Sequence, residues 1–147
     1  MKVKVKTQSL KDSALDWVVA VSLGLSPILR HDHLRAKALA NNYKGDLAWH
    51  LEMQLNEPIT VSASGVTRTI AAYHKDWALS GPILTEACIS RVIALPGLWV
   101  AYWTDGCPDG DEGKNWMQCD SSELVSGLRC YVSSKLGEEV DVPEELL

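Results

Sequence analysis

The strongest constraint on folding is an apolar stripe near the C-terminal end of the 147-residue chain. Its members recur with helical spacing and are Leu124, Leu128, Tyr131, Val132 and Leu136. The hydroxyl of Ser121 or Ser122 can cap the first turn, and Gly137 suits the backbone conformation that ends a helix. The stripe therefore predicts an amphipathic helix that must bury one face against the rest of the chain.

A second stripe with helical spacing lies near the N-terminal end. Its members are Leu10, Ala14, Trp17, Val18 and Val21. Asp12 or Ser13 can accept a hydrogen bond from the first turn, and Ser13 with Asp16 three residues later resembles a capping box. Gly24 and Pro27 are typical of the end of a helix. We therefore predict a helix between these signals.

Alternating and β-branched runs predict strands between and beside these helices. Lys2–Lys6 alternates Lys with Val, and two hairpins are indicated by turn pairs between apolar runs. The first hairpin joins Ile59–Val61 to Val66–Ile70 through Ser64-Gly65, and the second joins Ile89–Leu95 to Leu98–Trp103 through Pro96-Gly97. Aromatic residues on both faces of Leu98–Trp103 predict a strand that is covered on both sides.

The remaining segments complete the predicted fold. Residues 31–56 have a helical pattern in two pieces hinged near Asn42–Gly45, and could form a helical insertion. Thr104–Asp120 is predicted as a loop, and Val140–Pro143 as a short extended segment. Together these features predict an α+β fold, with an antiparallel β-sheet flanked by amphipathic helices in a single domain over residues 1–147.

Charge is distributed unevenly along the chain. Residues 1–44 hold eight Lys and Arg against three Asp and Glu, whereas residues 105–147 hold three against eleven. The two ends could lie side by side and neutralise each other, or the acidic end could dock on a basic partner. Nucleic-acid binding is disfavoured by the net negative charge and because basic residues 1–30 contain only one aromatic residue, Trp17. Membrane insertion is disfavoured because no apolar run is long enough to span a bilayer.

The compartment follows from the N-terminal residues, which lack the apolar core of a signal peptide. We therefore expect the cytoplasm, where Cys88, Cys107, Cys119 and Cys130 would be reduced thiols.

Few residue patterns indicate catalysis or metal binding. His31, His33 and distant His50 could converge on a metal, but the spacing is more typical of surface histidines. The carboxylates of the Asp105–Asp120 segment do not match an EF-hand. The chain has no Gly-x-Ser-x-Gly nucleophile motif. We predict no metal, no cofactor and no catalytic residue, and we favour binding over catalysis.

The candidate binding site is a non-periodic segment rich in chemically different side chains. A phenol, an imidazole, an ammonium, a carboxylate and an indole fall within five residues, followed by a Ser-Gly-Pro sequence that predicts a turn. Aromatic rings can stack on a flat ligand, and Lys, His or Arg can bind phosphate. The predicted ligand-binding residues are Tyr73, His74, Lys75, Asp76, Trp77, Ser80, Gly81, Pro82 and Arg91. Alternatively, Trp77 is a core residue and Asp76 caps a short helix.

Three blocks of sequence resemble the NinX-type phage and prophage family. They are Ala14–Ala20, then Asp76–Ala78 with Gly81–Leu84, then Leu128–Gly137 with Val142–Leu146. The resemblance implies an accessory phage protein made in the host cytoplasm. Such a protein could sequester a small nucleotide-derived immune signal, and a pocket of that kind often lies between subunits, so a homo-oligomer is expected. Alternatively, it could be an adaptor or inhibitor that binds a host protein through its acidic C-terminal third.

Overall fold

The computed structural model describes residues 1–40, 57–103 and 116–147. Within these ranges the fold is α+β, as predicted. The helices are α1 (Asp12–Ser22), α2 (Arg30–Ala40), α3 (Trp77–Glu86) and α4 (Glu123–Leu136). The strands are β1 (Lys2–Lys6), β2 (Ile28–Leu29), β3 (Pro58–Val61), β4 (Thr67–Thr69), β5 (Ser90–Leu95), β6 (Leu98–Trp103), β7 (Trp116–Asp120) and β8 (Glu139–Pro143).

The described strands form three small sheets, and all of their pairs are antiparallel. β1 pairs with β8, β2–β3–β4 form the second sheet, and β5–β6–β7 form the third. Helix α4 packs against the third sheet, and α1 and α3 pack against α4. None of the helices in the described ranges has the length and apolar character needed to cross a bilayer.

The basic and acidic ends of the chain are joined by the β1–β8 pair. Lys4 lies opposite Asp141 and Lys6 opposite Glu139, while Val5 lies opposite Val140, which is buried. Directly opposite strand residues share a face, so each of these lysines lies beside a carboxylate. The prediction that the two ends lie side by side is therefore confirmed, and their mutual neutralisation stays a prediction.

Both predicted hairpins are present. Gly65 has φ +80° in the β3–β4 turn and Gly97 has φ +77° in the β5–β6 turn, a backbone conformation that glycine adopts without a steric penalty. The prediction that β6 is covered on both sides is wrong. Ala101 is fully buried against α4, but Tyr102 on the opposite face is 38% exposed. A tyrosine tolerates this position because its hydroxyl can hydrogen-bond to water.

The two predicted amphipathic helices form, but only one has the predicted cap. In α4 the Ser122 hydroxyl accepts a hydrogen bond from the Val125 N–H, and Gly137 follows the last turn with φ +96°. In α1 the N-cap is Lys11, which makes no side-chain cap bond, so the caps predicted at Asp12 and Ser13 are wrong. The capping-box interpretation of Asp16 is also wrong, because this carboxylate is buried and used elsewhere.

Two other predictions are partly tested. The first helical piece of residues 31–56 corresponds to α2, whereas the hinge and the second piece lie outside the described residues. The prediction of a loop over Thr104–Asp120 is wrong for its last five residues, because Trp116–Asp120 form β7. Most of the acidic segment, residues 104–115, lies outside the described residues.

Candidate functional site

The candidate segment folds as a tight turn followed by α3. Asp76 caps this helix, and its Oδ1 accepts hydrogen bonds from the N–H groups of Ala78 and Leu79 at 2.9 and 3.4 Å. The Ser-Gly-Pro turn predicted at Ser80, Gly81 and Pro82 is wrong, because all three lie inside the helix. The strong cap offsets part of the cost of Pro82, which lacks an N–H to donate to the carbonyl four residues earlier.

Three of the predicted site residues point into the protein. Ser80 is fully buried, and its hydroxyl donates to the Tyr73 carbonyl at 2.7 Å. Tyr73 is 9% exposed, and burial, followed by the nearby Asp16 charge, raises the pKa of its phenol. The side chain of His74 is 10% exposed. These groups hold the turn before α3 against the core, so little of their surface is open to a ligand.

His74 is held by a carboxylate that the sequence patterns did not single out for this role. The His74 backbone N–H donates to Asp16 Oδ1 at 2.9 Å, and its ring Nδ1 lies 2.7 Å from Asp16 Oδ2. Burial raises the pKa of the Asp16 carboxyl, while the hydrogen bonds from His74 act in the opposite direction. The other ring nitrogen, Nε2, lies 3.4 Å from Asp12 Oδ1 but has no hydrogen-bond partner.

The remaining predicted residues lie at or near the surface. Trp77 is 45% exposed at the start of α3, so the alternative in which it is a core residue is wrong, whereas the proposed helix cap at Asp76 is confirmed. Lys75 and Pro82 are also exposed, and Gly81 is half-buried. The site therefore separates into an inward part around His74 and an outward part around Trp77.

Arg91 reaches this outward part from β5. Its guanidinium carbon lies 5.6 Å from the centroid of the Trp77 ring, a cation–π contact. The same guanidinium binds Glu123 of α4, with Arg91 Nε 3.1 Å from Glu123 Oε1, and donates to the Ile89 carbonyl at 3.3 Å. Trp77, Arg91 and Glu123 thus connect α3, β5 and α4 at the surface. We call these three residues the Trp77 cluster.

Two cavities bounded by described residues lie away from Trp77. One of about 480 Å³ is lined by residues from the ends of α1, α3 and α4, including Ile83, Glu86, Tyr131 and Lys135. Another of about 320 Å³ lies between α1 and β8 beside Trp17. Trp77 lines neither of them. Within the described ranges, no group of His, Cys, Asp and Glu side chains is arranged to hold a metal ion, and His50 lies outside those ranges.

The fold and this surface define a small α+β protein whose candidate site sits at the start of a capped helix. A family model described as bacteriophage P22 NinX matches residues 6–135, which is most of the chain. The chain therefore belongs to the NinX family of phage proteins, as its sequence blocks indicated. A comparison with curated proteins finds no match.

Proposed function

We propose that this chain is a phage accessory protein that binds a small nucleotide-derived ligand and withdraws it from host defence signalling without transforming it. Membership of a phage family supports the setting. The choice of ligand class rests on the chemistry of the Trp77 cluster. The proposal concerns binding alone, and it assigns no catalytic residue.

The observation that carries the proposal is the half-exposed indole of Trp77. An aromatic side chain of this size is usually buried in a core, and exposure costs the favourable burial of its ring. Here 45% of the residue remains accessible, so a planar base can stack on it. Stacking of a base on an aromatic ring contributes about 1–3 kcal/mol and tolerates different bases.

Two cations lie where they could bind phosphate. Lys75 is exposed two residues before the indole, and the Arg91 guanidinium lies over it. Arg91 is already paired with Glu123, so a phosphate would have to compete with that carboxylate or share the guanidinium with it. The salt bridge with Glu123 also holds the Arg91 side chain beside Trp77, so less side-chain entropy of Arg91 is lost when a ligand binds.

The alternative, an adaptor that uses an acidic surface, has less support. The β1 lysines lie beside the β8 carboxylates, Asp120 binds Arg129, and Glu145 lies 3.4 Å from the N-terminal ammonium. These neighbours reduce the net negative field that a basic partner would meet.

The proposal is tested by calorimetric titration and thermal shift with cyclic dinucleotides and ADP-ribose derivatives. We expect one class of compound to bind and to raise Tm. In Trp77→Ala the affinity for that compound should fall about tenfold to a hundredfold, from the loss of stacking. Leu79→Ala is the matched control, since Leu79 is also 45% exposed on α3, and it should bind almost as wild type.

Two results would overturn the proposal. One is the absence of heat and of any Tm shift across the whole panel. The other is binding that Trp77→Ala leaves unchanged. Chromatography of the compound recovered after denaturing the protein separates binding from hydrolysis, because a sequestering protein returns the compound intact.

A further inference from the structure

The β5 strand presents an unusual edge. Within the described ranges it pairs with β6 on one side only, so the backbone groups of its other edge have no strand partner there. Val92, Ile93 and Leu95 are 45%, 61% and 63% exposed. Val92 and Ile93 are consecutive, so their side chains point to opposite faces of the sheet. Apolar side chains are therefore exposed on both faces of this edge strand.

Two other edge strands in the described fold, β1 and β4, carry charges that discourage pairing between molecules. β1 has a lysine at every second position, and β4 has an exposed arginine at Arg68. The only charged residue of β5 is Arg91, which is paired with Glu123. Bringing two β5 edges together would therefore not place uncompensated like charges side by side.

We propose that β5 is the edge through which two copies of this chain pair antiparallel, so that their β5–β6–β7 sheets become one continuous sheet. A strand pairs antiparallel with its own copy about a two-fold axis, which uses the same surface on both molecules. The second copy fits because it brings apolar side chains to both faces at once. An edge that also carried a lysine or glutamate at these positions would not be self-complementary.

The strength of this pairing is limited by the strand itself. The register of β5 shifts between Ile93 and Leu95, so regular pairing is confined to Ser90–Ile93. Stable interfaces bury about 1,200–2,000 Å² in total, and so short an edge buries less. The dimer is therefore concentration-dependent and exchanges with monomer.

Sedimentation velocity over a wide concentration series tests the proposal. The average mass of the wild-type chain should rise from one copy toward two copies as the concentration increases. The double variant Val92→Lys with Ile93→Lys should remain monomeric throughout. The control, Val66→Lys with Leu147→Lys, changes two exposed apolar residues outside β5 and should dimerise as wild type does. A wild-type chain that stays monomeric, or an edge variant that still dimerises, would overturn the proposal.

A second measurement keeps the proposal testable if the lysine variant fails to fold. In the background Cys88→Ser, Cys107→Ser and Cys119→Ser, a single cysteine is placed in turn at Ser90, Arg91, Val92 and Ile93, and each variant is oxidised under mild conditions. About a two-fold axis only the residue on the axis lies directly opposite its own copy, so one of these variants should give much more covalent dimer than the others. Val66→Cys in the same background is the control. Cross-linking that is equal at Val66 and at every β5 position, or absent at all of them, would contradict β5 pairing.

Discussion

At the scale of single residues, a buried arginine stabilises the junction of three segments. Arg129 is 3% exposed, and its Nε and one terminal nitrogen donate to the Leu10 carbonyl at 2.9 and 2.7 Å. Its other terminal nitrogen binds the Cys119 carbonyl and Asp120 Oδ2 at 3.2 and 2.7 Å. One guanidinium therefore holds α4, β7 and the segment before α1 together.

Replacing this guanidinium should destabilise the protein strongly. Arg129→Met leaves the Leu10 carbonyl without a partner inside the protein, and we expect a loss of about 2–4 kcal/mol in the free energy of unfolding. Arg68→Met, at an exposed position of β4, is the matched control and should change it by less than about 0.5 kcal/mol. Urea denaturation measures both. A cost at Arg129 no larger than at Arg68 would refute this role.

Cys88 holds a backbone conformation that suits glycine. It has φ +57° after α3, with its N–H donating to the Thr85 carbonyl and the Ile89 N–H donating to the Leu84 carbonyl. This is the Schellman arrangement, in which glycine usually occupies the left-handed position. Cys88→Gly should stabilise the protein by about 0.5–1 kcal/mol after the entropy cost of glycine is subtracted. Cys88→Ser keeps the strain and serves as control, and equal stability of the two variants would count against this account.

The buried carboxyl of Asp16 predicts an unusual pH dependence. Because its pKa is raised in the folded state, the folded protein holds the Asp16 proton more tightly than the unfolded chain does. The contribution of Asp16 is therefore most favourable below its ordinary pKa of 3.8, and declines as pH rises through the folded-state pKa. The free energies of unfolding of wild type and of Asp16→Asn, measured at a series of acid pH values, test this dependence. The stability of wild type relative to the variant should fall with pH, and a rise would mean that His74 outweighs burial.

At the scale of elements, two helical glycines have opposite roles. A Cβ on Gly127 of α4 would lie 2.6 Å from Leu84 Cδ1 and 3.3 Å from Arg91 Cδ, so this glycine permits the close approach of α3 and β5. A Cβ on Gly81 of α3 would meet only Trp77 Cε3, at an ordinary 3.7 Å.

These contacts predict opposite signs for the same substitution. Gly127→Ala should lower the free energy of unfolding by about 1–2 kcal/mol, because overpacking exceeds the gain in helix propensity. Gly81→Ala should raise it by about 0.5–1 kcal/mol, because only the gain in propensity remains. Thermal and urea unfolding of the two variants give the comparison. An increase for Gly127→Ala would show that the α3–α4 packing is looser than described, and a decrease for Gly81→Ala would contradict the open space around Gly81.

The elements predictable from sequence were those with a local signal. Such signals are present in both hairpins and in α4. Each combines apolar residues at a regular spacing with a residue that favours a turn or a helix end, namely Gly65, Gly97 and Ser122. Helix α3 is predicted only as the alternative in which Asp76 caps a short helix, because Gly81 and Pro82 disfavour a helix locally, whereas the cap and packing on α4 outweigh them. The site was only partly predictable for a related reason. The Trp77 segment was found by composition, but the contact between His74 and Asp16, which are 58 positions apart, has no local signal.

At the scale of the whole molecule, the fold brings together what the sequence separates. The basic first strand and the acidic last strand become neighbours in β1–β8, and Arg91 of β5 joins Trp77 of α3 and Glu123 of α4. The Trp77 cluster thus depends on three elements, and its indole lies in the first turn of α3 next to the Arg91 guanidinium. Because the indole is 45% exposed, the proposed stacking of a base requires no rearrangement of the core.

The central claim is that the exposed Trp77 indole captures a nucleotide-derived ligand in the host. The most direct measurement is to purify wild type and Trp77→Ala from infected cells, denature them, and identify the released small molecules by mass spectrometry. The proposal predicts a nucleotide-derived compound released in near-equimolar amount from wild type and strongly depleted from the variant. Its absence from wild type, or equal amounts from both proteins, would contradict the claim.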